Sequence, residues 1–434
     1  MKRNALQKLC DWKESSRRKP LIIRGARQVG KTWLMKEFGK QNFKNAVYIN
    51  FDSNPEMAAL FEGSLDVPRL ISGLQIYARE KIVPQKTLLI FDEVQEVPRA
   101  LTSLKYFCED APEYAVISAG SLLGVALHRG TNFPVGKVDF LDLYPMGFTE
   151  FLEAAGYENL SELLRSRDWR MVTAFKEKYI ELLRYYYYIG GMPEAVQTFI
   201  SENDLNAVRK IQENILSAYE QDFSKHAPAE KVSRIRMVWQ SIPAQLAKDN
   251  RRFVYGALRN GARAKDFELA IQWLRDCGLI EQVIRVSKPA IPLPAYADEG
   301  FKMYVTDVGL LGAMSKLDAG TLLQGNRLFS EFKGSLTEQY VAQQLRSELG
   351  IKPFYWSAER ATAEVDFIFQ SGMELFPLEV KAEENLKAKS LKVYTEKYAP
   401  PLAIRTSMSD FRKEKRLVNL PLYAISQLLT FCRK

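Results

Sequence analysis

Residues 25–32 read Gly25-Ala26-Arg27-Gln28-Val29-Gly30-Lys31-Thr32, and the spacing suits a loop that holds a phosphate chain. Glycines let backbone N–H groups turn toward phosphate oxygens, Lys31 reaches the terminal phosphates, and the Thr32 hydroxyl is a ligand for Mg2+. The apolar run 21–23 before it and the helical stretch 32–38 after it supply the strand and helix that such a loop must join. Further on, the apolar run 88–91 ends in Asp92-Glu93. At the end of a buried strand, Asp92 orders the Mg2+ shell, and Glu93 orients and deprotonates an attacking water. A second carboxylate in that place favours hydrolysis over transfer to a small acceptor.

The nucleotide cradle expected from this reading comprises Gly25, Ala26, Arg27, Gln28, Val29, Gly30, Lys31, Thr32 and Trp33, with Asp92 opposite. The next strand ends at Ser118-Ala-Gly-Ser121, where Ser121 is the better placed of the two serines to sense a terminal phosphate. Arg129 and Lys137 follow in a glycine-containing loop and are candidates for transition-state charge, in cis or from a neighbouring copy.

A second constellation lies near the C-terminus. Glu364-Val365-Asp366 and Glu379-Val380-Lys381 sit on two short strand-like runs. Strand alternation puts Glu364 and Asp366 on one face, and Glu379 and Lys381 likewise share a face. With 370–373 as the hairpin loop, Phe369 pairs with Glu374, Glu364 lies opposite Glu379, and Asp366 sits on the diagonal. Like charges placed so are destabilising, which asks for a divalent cation. Asp366 and Glu379 would then bind Mg2+, with Lys381 stabilising the charge of a reacting phosphate or positioning water.

Positioning these groups takes several domains. The chain has 434 residues, 61 Lys and Arg against 52 Asp and Glu, and a formal net charge of +9, a mild bias toward an anionic partner. Hydrophobic residues at 47% and charged residues at 26% are ordinary globular values and exclude a disordered or fibrous chain. Four scattered cysteines, Cys10, Cys108, Cys277 and Cys432, argue against a disulfide scaffold or thiolate zinc site, and two histidines, His128 and His226, leave little for histidine chemistry. No apolar run reaches membrane-spanning length, so a soluble cytoplasmic protein without membrane contact is expected.

From 20 to 144, short apolar runs alternate with amphipathic stretches, the pattern of a parallel α/β sheet covered on both faces. Residues 145–226 read as helices, broken by the Gly-Gly/Pro turn at 190–193, and the tyrosine run 185–188 reads as buried helix packing. Residues 229–317 give helix, turn, helix and hairpin, the order of a winged helix-turn-helix, with Phe267, Ile271 and Leu274 as the buried stripe. A helix with paired polar residues then precedes the strands that carry Asp366 and Glu379.

The strings RKPLIIRGARQVGKT, LLIFDEVQEVPRALTSLKYF and LYPMGFTEF, with GGMPEAV and the closing EVDF and EVK, resemble the prokaryotic AAA+ ATPases that carry a C-terminal domain of unknown function. The resemblance implies an α/β fold with sheet order 5-1-4-3-2, ATP as nucleotide, a helical lid, a winged helix and a restriction-endonuclease-like C-terminal domain. The corresponding boundaries are 1–145, 146–228, 229–320 and 321–434. Resolvase-like members of the C-terminal class add a helical carboxylate, which Glu338 matches here. The implied activity is ATP hydrolysis coupled to Mg2+-dependent cleavage of DNA. The alternative is a nucleotide-dependent switch or scaffold whose C-terminal domain binds DNA or a partner protein without cutting, and homo-oligomers suit either. Gly136-Lys137 stands where such proteins carry Gly-Arg, and lysine lacks the guanidinium fork.

Overall fold

The computed structural model describes residues 1–120, 133–248, 250–324, 330–358, 362–384 and 389–432, which divide into two compact units. The first holds Lys2–Tyr144 with Asp276–Leu279. Its strands are β1 (Leu21–Arg24), β2 (Asn45–Asn50), β3 (Thr87–Asp92), β4 (Ala115–Ala119) and β5 (Asp139–Asp142). They form one parallel sheet in the order β2-β3-β4-β1-β5, the order expected. β3 and β4 are buried along their whole length, as continuous apolar runs require in a sheet covered on both sides. Phe51, Phe61, Phe91 and Phe107 pack edge to face beside the end of β3, with Phe51 and Phe91 centroids 5.5 Å apart. This aromatic cluster fixes the backbone from which Asp92 projects.

The second unit holds residues 145–275 and 280–434. Helices fill its first part, from Phe148–Ala154 through Lys176–Ile189 to Leu205–His226. Tyr186, Tyr187 and Tyr188 are buried, and the Tyr186 hydroxyl donates to the Met146 carbonyl at 2.5 Å, so these rings face protein and offer no stacking platform. Helices Ala229–Leu246 and Ala264–Asp276 follow, the latter burying Phe267, Ile271 and Leu274.

The remaining strands are β6 (Ile280–Val286), β7 (Ala297–Val305), β8 (Phe354–Ser357), β9 (Glu364–Ser371), β10 (Glu374–Val380), β11 (Ala403–Ser407), β12 (Arg412–Lys413) and β13 (Leu417–Pro421). They make a single sheet in the order β12-β13-β11-β10-β9-β8-β6-β7. The β6–β7 hairpin, expected as the wing of a winged helix-turn-helix, is built into the sheet that carries Asp366 and Glu379. The link is parallel pairing of β6 with β8, Ile284 beside Phe354. Helix Ser330–Ser347 buries Thr337, Glu338, Gln339, Gln343 and Gln344. These polar groups are used: Gln339 accepts from Val305 N at 2.9 Å and donates to Val305 O at 2.6 Å.

Candidate functional site

In the first unit, the loop between β1 and helix Lys31–Asn42 takes left-handed backbone at Gln28 (φ 67°) and Gly30 (φ 93°). At Gly25 a Cβ would lie 2.1 Å from the Leu143 carbonyl oxygen, so only glycine fits there. Arg3 braces the loop by donating to Val29 O at 2.9 Å. Lys31 is buried, and its ammonium donates to Gly25 O (2.9 Å) and Ala26 O (2.8 Å). Burial pulls its pKa down to about 8, against the opposing pull of Glu93 and Asp92.

Thr32 Oγ1 donates to Asp92 Oδ2 at 2.6 Å. The sequence reading did not find the third member of this group: Tyr48, on β2, donates to the same oxygen at 3.0 Å. Burial and the neighbouring Asp92 raise the Tyr48 pKa, so it stays a donor. The signal was available, since β2 and β3 pair in register with Asn50 beside Asp92, but it needed the register. Glu93 sits in left-handed backbone at φ 50°, a strained position for a residue with a Cβ. Its Oε2 accepts from Gln95 Nε2 at 2.7 Å, an orienting contact the sequence reading also missed. A hydroxyl and a carboxylate side by side at the mouth of a phosphate loop are the hard oxygen ligands that suit Mg2+ sharing its shell with nucleotide phosphates, so the residues present fit that ion. Trp33 is 42% exposed.

Two further expectations resolve differently. Ser121 and Arg129 lie outside the described residues, while Ser118 is buried and donates to Leu21 O at 3.2 Å. Lys137 forms an ion pair with Glu109 at 2.7 Å. Asp139 aligns with Leu21 at the start of β1, so Lys137 lies at the amino-terminal edge of the sheet. The phosphate loop and Asp92 follow the carboxyl ends of their strands. A role for Lys137 in cis is thereby corrected.

In the second unit the C-terminal carboxylates do come together, in a register different from that expected. The hairpin turns on Gly372 and Met373, so Ser371 pairs with Glu374 and Phe367 with Leu378. Continuing the register puts Asp366 directly opposite Glu379. The slip of two residues keeps every side chain on its face, which is why the grouping survives the correction. Asp366 Oδ2 accepts from Val380 N at 2.8 Å, and Lys381 Nζ pairs with Glu379 Oε1 at 2.7 Å. Glu338 joins them from helix Ser330–Ser347.

Two cations absent from the sequence reading neutralise this cluster. Lys302, on β7, lies 2.6 Å from Glu364 Oε1, 3.4 Å from Glu338 Oε2 and 3.8 Å from Asp366 Oδ1. Arg251 pairs with Glu338 Oε1, and Tyr304 donates to Glu338 Oε2 at 3.0 Å. Burial works against the Glu338 carboxylate, yet Lys302 and Arg251 outweigh it and hold its pKa at about 2. Asp366 moves the other way, raised by burial and by the charges of Glu338 and Glu379. Among the described residues, no group of three or more His, Cys, Asp and Glu is arranged to hold a metal ion. The excess negative charge that called for a divalent cation is met by Lys302 and Arg251, so Asp366, Glu379 and Glu338 as placed here do not fit Mg2+. The clue in the sequence was a lysine within the otherwise apolar run 301–305.

All four cysteines are free. Among the described residues no helix is long and apolar enough to cross a membrane.

Comparison with known proteins matches residues 17–152 to an AAA domain. Residues 180–321 match a domain of unknown function, DUF8612, and residues 333–425 another, DUF4143. No curated protein matches the chain. Among solved structures, similarity is found to the Walker-type ATPase PABY2304 of Pyrococcus abyssi, at 13% identity and TM-score 0.44, covering 71% of this chain and 94% of that one. It is also found to the ORC1 protein of Aeropyrum pernix in complex with DNA, at 13% identity and TM-score 0.26, covering 73% and 93%. Cdc6p of Pyrobaculum aerophilum gives 12%, 0.26, and the same coverage. At those values the likenesses bear on neither substrate nor partner.

Proposed function

We propose that this AAA-type ATPase binds ATP with Mg2+ in the loop 25–32 and uses its hydrolysis to switch a C-terminal unit that binds DNA without cutting it. The ATPase character follows from the AAA match over residues 17–152. The observation that carries the proposed chemistry is the arrangement of Lys31, Thr32, Asp92 and Glu93 around one phosphate loop. Bound Mg2+ would neutralise phosphate charge and polarise the terminal phosphoryl group. Thr32 and Asp92 would hold the ion. Lys31 exchanges two backbone carbonyls for phosphate oxygens, an exchange favoured by the stronger charge-assisted bond. Glu93, oriented by Gln95, takes the proton of the attacking water at a carboxylate oxygen.

DNA as the partner rests on the net charge of +9 and on the basic edge strand, where Arg412, Lys413, Lys415 and Arg416 are all exposed. In this reading the helices of 146–228 serve as the lid. A second reading, nucleotide-gated phosphodiester cleavage at Asp366, Glu379 and Lys381, is favoured by the convergence of those residues with Glu338. The buried Lys302 and the half-buried Arg251 weigh against it. The test measures ATP turnover with and without DNA, and DNA integrity with Mg2+ or Mn2+, for wild type, Lys31→Ala and Lys381→Ala. DNA-stimulated turnover lost in Lys31→Ala, with DNA left intact, supports the switch. Cleavage lost in Lys381→Ala establishes the nuclease instead, and turnover indifferent to DNA removes DNA as the partner.

A further inference from the structure

The C-terminal carboxylates already have cations among them, and these occupy the space between the acids. Lys302 is fully excluded from solvent, and Glu338, Asp366 and Glu379 are 2%, 8% and 4% exposed. From this geometry we propose that Lys302 is the resident cation of the cluster: with Arg251 it holds the place the sequence pattern gives to a divalent metal, making a metal-free ionic lock that joins β7, β9 and helix Ser330–Ser347. The proposal concerns the second unit alone and stands whether or not the ATPase acts on DNA.

Three features of the cluster carry it. Glu338 has both oxygens committed, Oε1 to Arg251 and Oε2 to Lys302 and Tyr304. Asp366 gives one oxygen to the Val380 amide, has the other 3.8 Å from Lys302, and is hydrogen-bonded to the Glu338 carboxylate. Glu379 Oε2 is the one carboxylate oxygen of the cluster that is buried without a hydrogen-bond partner, and a single oxygen does not make a site for a hard divalent ion, which wants six or more.

The charges of the cluster are close to balanced. Four acids, Glu338, Glu364, Asp366 and Glu379, face three cations, Lys302, Arg251 and Lys381. An added divalent ion would turn a nearly balanced cluster positive at close range. Room is short as well. Mg2+ and Mn2+ in phosphoryl-transfer sites keep several waters and share substrate oxygens, and a fully buried ammonium among the acids leaves no place for them.

The inference is tested on the full chain carrying Asp92→Ala, so that metal held by the phosphate loop does not enter the count. Binding of Mn2+ is followed by the loss of the free-ion paramagnetic resonance signal, and thermal melts are taken with and without Mn2+. The expected result is no Mn2+ bound below millimolar concentration. Adding Lys302→Met lowers the melting temperature and creates a Mn2+ site at least tenfold tighter, which a further Asp366→Asn removes; Mn2+ then restores part of the lost melting temperature. A micromolar Mn2+ site in the Asp92→Ala chain, lost on Asp366→Asn, overturns the proposal, and that measurement decides even if Lys302→Met does not fold. Lys302→Met that melts like its parent and binds no Mn2+ overturns it as well.

Discussion

Thr32 Oγ1 and Asp92 Oδ2 lie 2.6 Å apart, joining the first turn of the helix after the phosphate loop to the last residue of β3. Asp92 is 4% exposed and its other oxygen accepts from the Glu93 amide at 3.1 Å. The carboxylate is thus fixed before any ligand arrives, and little reorganisation is left for the moment of reaction. Asp92→Asn puts an amide where Thr32 and Tyr48 both donate. ATP turnover should fall by about 10²–10³-fold, the magnitude of losing one preorganised charge, and excess Mg2+ should recover little of it. Steady-state turnover across a Mg2+ titration checks this; near-normal activity at saturating Mg2+ would show that Asp92 is not the metal's anchor.

Glu93 contributes differently: it follows Asp92 past the end of β3, and Gln95 orients its carboxylate. Glu93→Gln should leave nucleotide affinity unchanged and lower kcat by about 10²–10⁴-fold, the range for removal of a general base. Nucleotide binding by calorimetry set beside single-turnover hydrolysis separates the two effects. A matching loss of affinity would mean that Glu93 holds the nucleotide and does not activate water.

The depressed pKa of Lys31, about 8 from burial, gives a pH signature. Phosphate oxygens favour the charged ammonium, so binding raises this pKa. Below pH 8 the lysine is already protonated and binding takes up no proton at this site. Above pH 8 each molecule must first gain one, and affinity for ATP should fall toward tenfold per pH unit. Calorimetry in buffers of different ionisation enthalpy should show proton uptake rising from near zero at about pH 6.5 toward one at about pH 9.5. A flat profile in the wild type, or proton uptake that persists in the Lys31→Met control, would dissociate the lysine from nucleotide binding.

Lys137 stands at the amino-terminal edge of the first sheet, paired with Glu109. Both partners are substantially exposed, and solvent screening leaves surface pairs of this kind little to contribute. Lys137→Ala should change kcat by less than about twofold and barely move the melting temperature. A loss of tenfold or more under conditions where the protein self-associates would mean that the lysine acts from a neighbouring copy.

What the sequence made legible was what it wrote contiguously. The loop 25–32 and Asp92-Glu93 each carry their chemistry in adjacent residues at the ends of apolar runs, so strand ends and candidate site could be read together, while the strand order came from the family resemblance. In the C-terminal hairpin the alternation of Glu364, Val365 and Asp366 gave the face, because period two survives a slip of two. The pairing across the hairpin depended on whether the loop was four residues or two, and Gly372 at φ 61° closes it in two. Lys302 was out of reach for another reason. It meets Glu364 only because β6 joins β8 in parallel, a long-range pairing that neither strand announces locally. Tyr48 and Gln95 are likewise ordinary residues until β2 and the turn after β3 bring their polar ends to the carboxylates.

The Gly-Gly turn at 190–191, legible only as a break between helices, has a sharper role in the second unit. Gly190 caps helix Lys176–Ile189 at φ 72° and ψ −161°, a conformation open essentially to glycine alone. A Cβ there would lie 2.0 Å from Asp307 Oδ1. Asp307 is fully buried; it accepts from Gly191 N at 2.6 Å and from Gln343 Nε2 at 3.0 Å, and it caps helix Val308–Met314 through Leu310 N at 3.1 Å. Burial pushes its pKa up to about 6, so displacing it from these donors would strand an expensive group. Gly190→Ala combines backbone strain of about 1–3 kcal/mol with loss of buried hydrogen bonds of about 1–3 kcal/mol, and should destabilise by roughly 3–5 kcal/mol. Gly156 is the control, since its φ of 83° carries strain but nothing lies within 4 Å of an added Cβ, and Gly156→Ala should lose only about 1–2 kcal/mol. Urea unfolding of the two variants should separate them clearly. Equal midpoints would show that the Asp307 contact adds nothing beyond the turn.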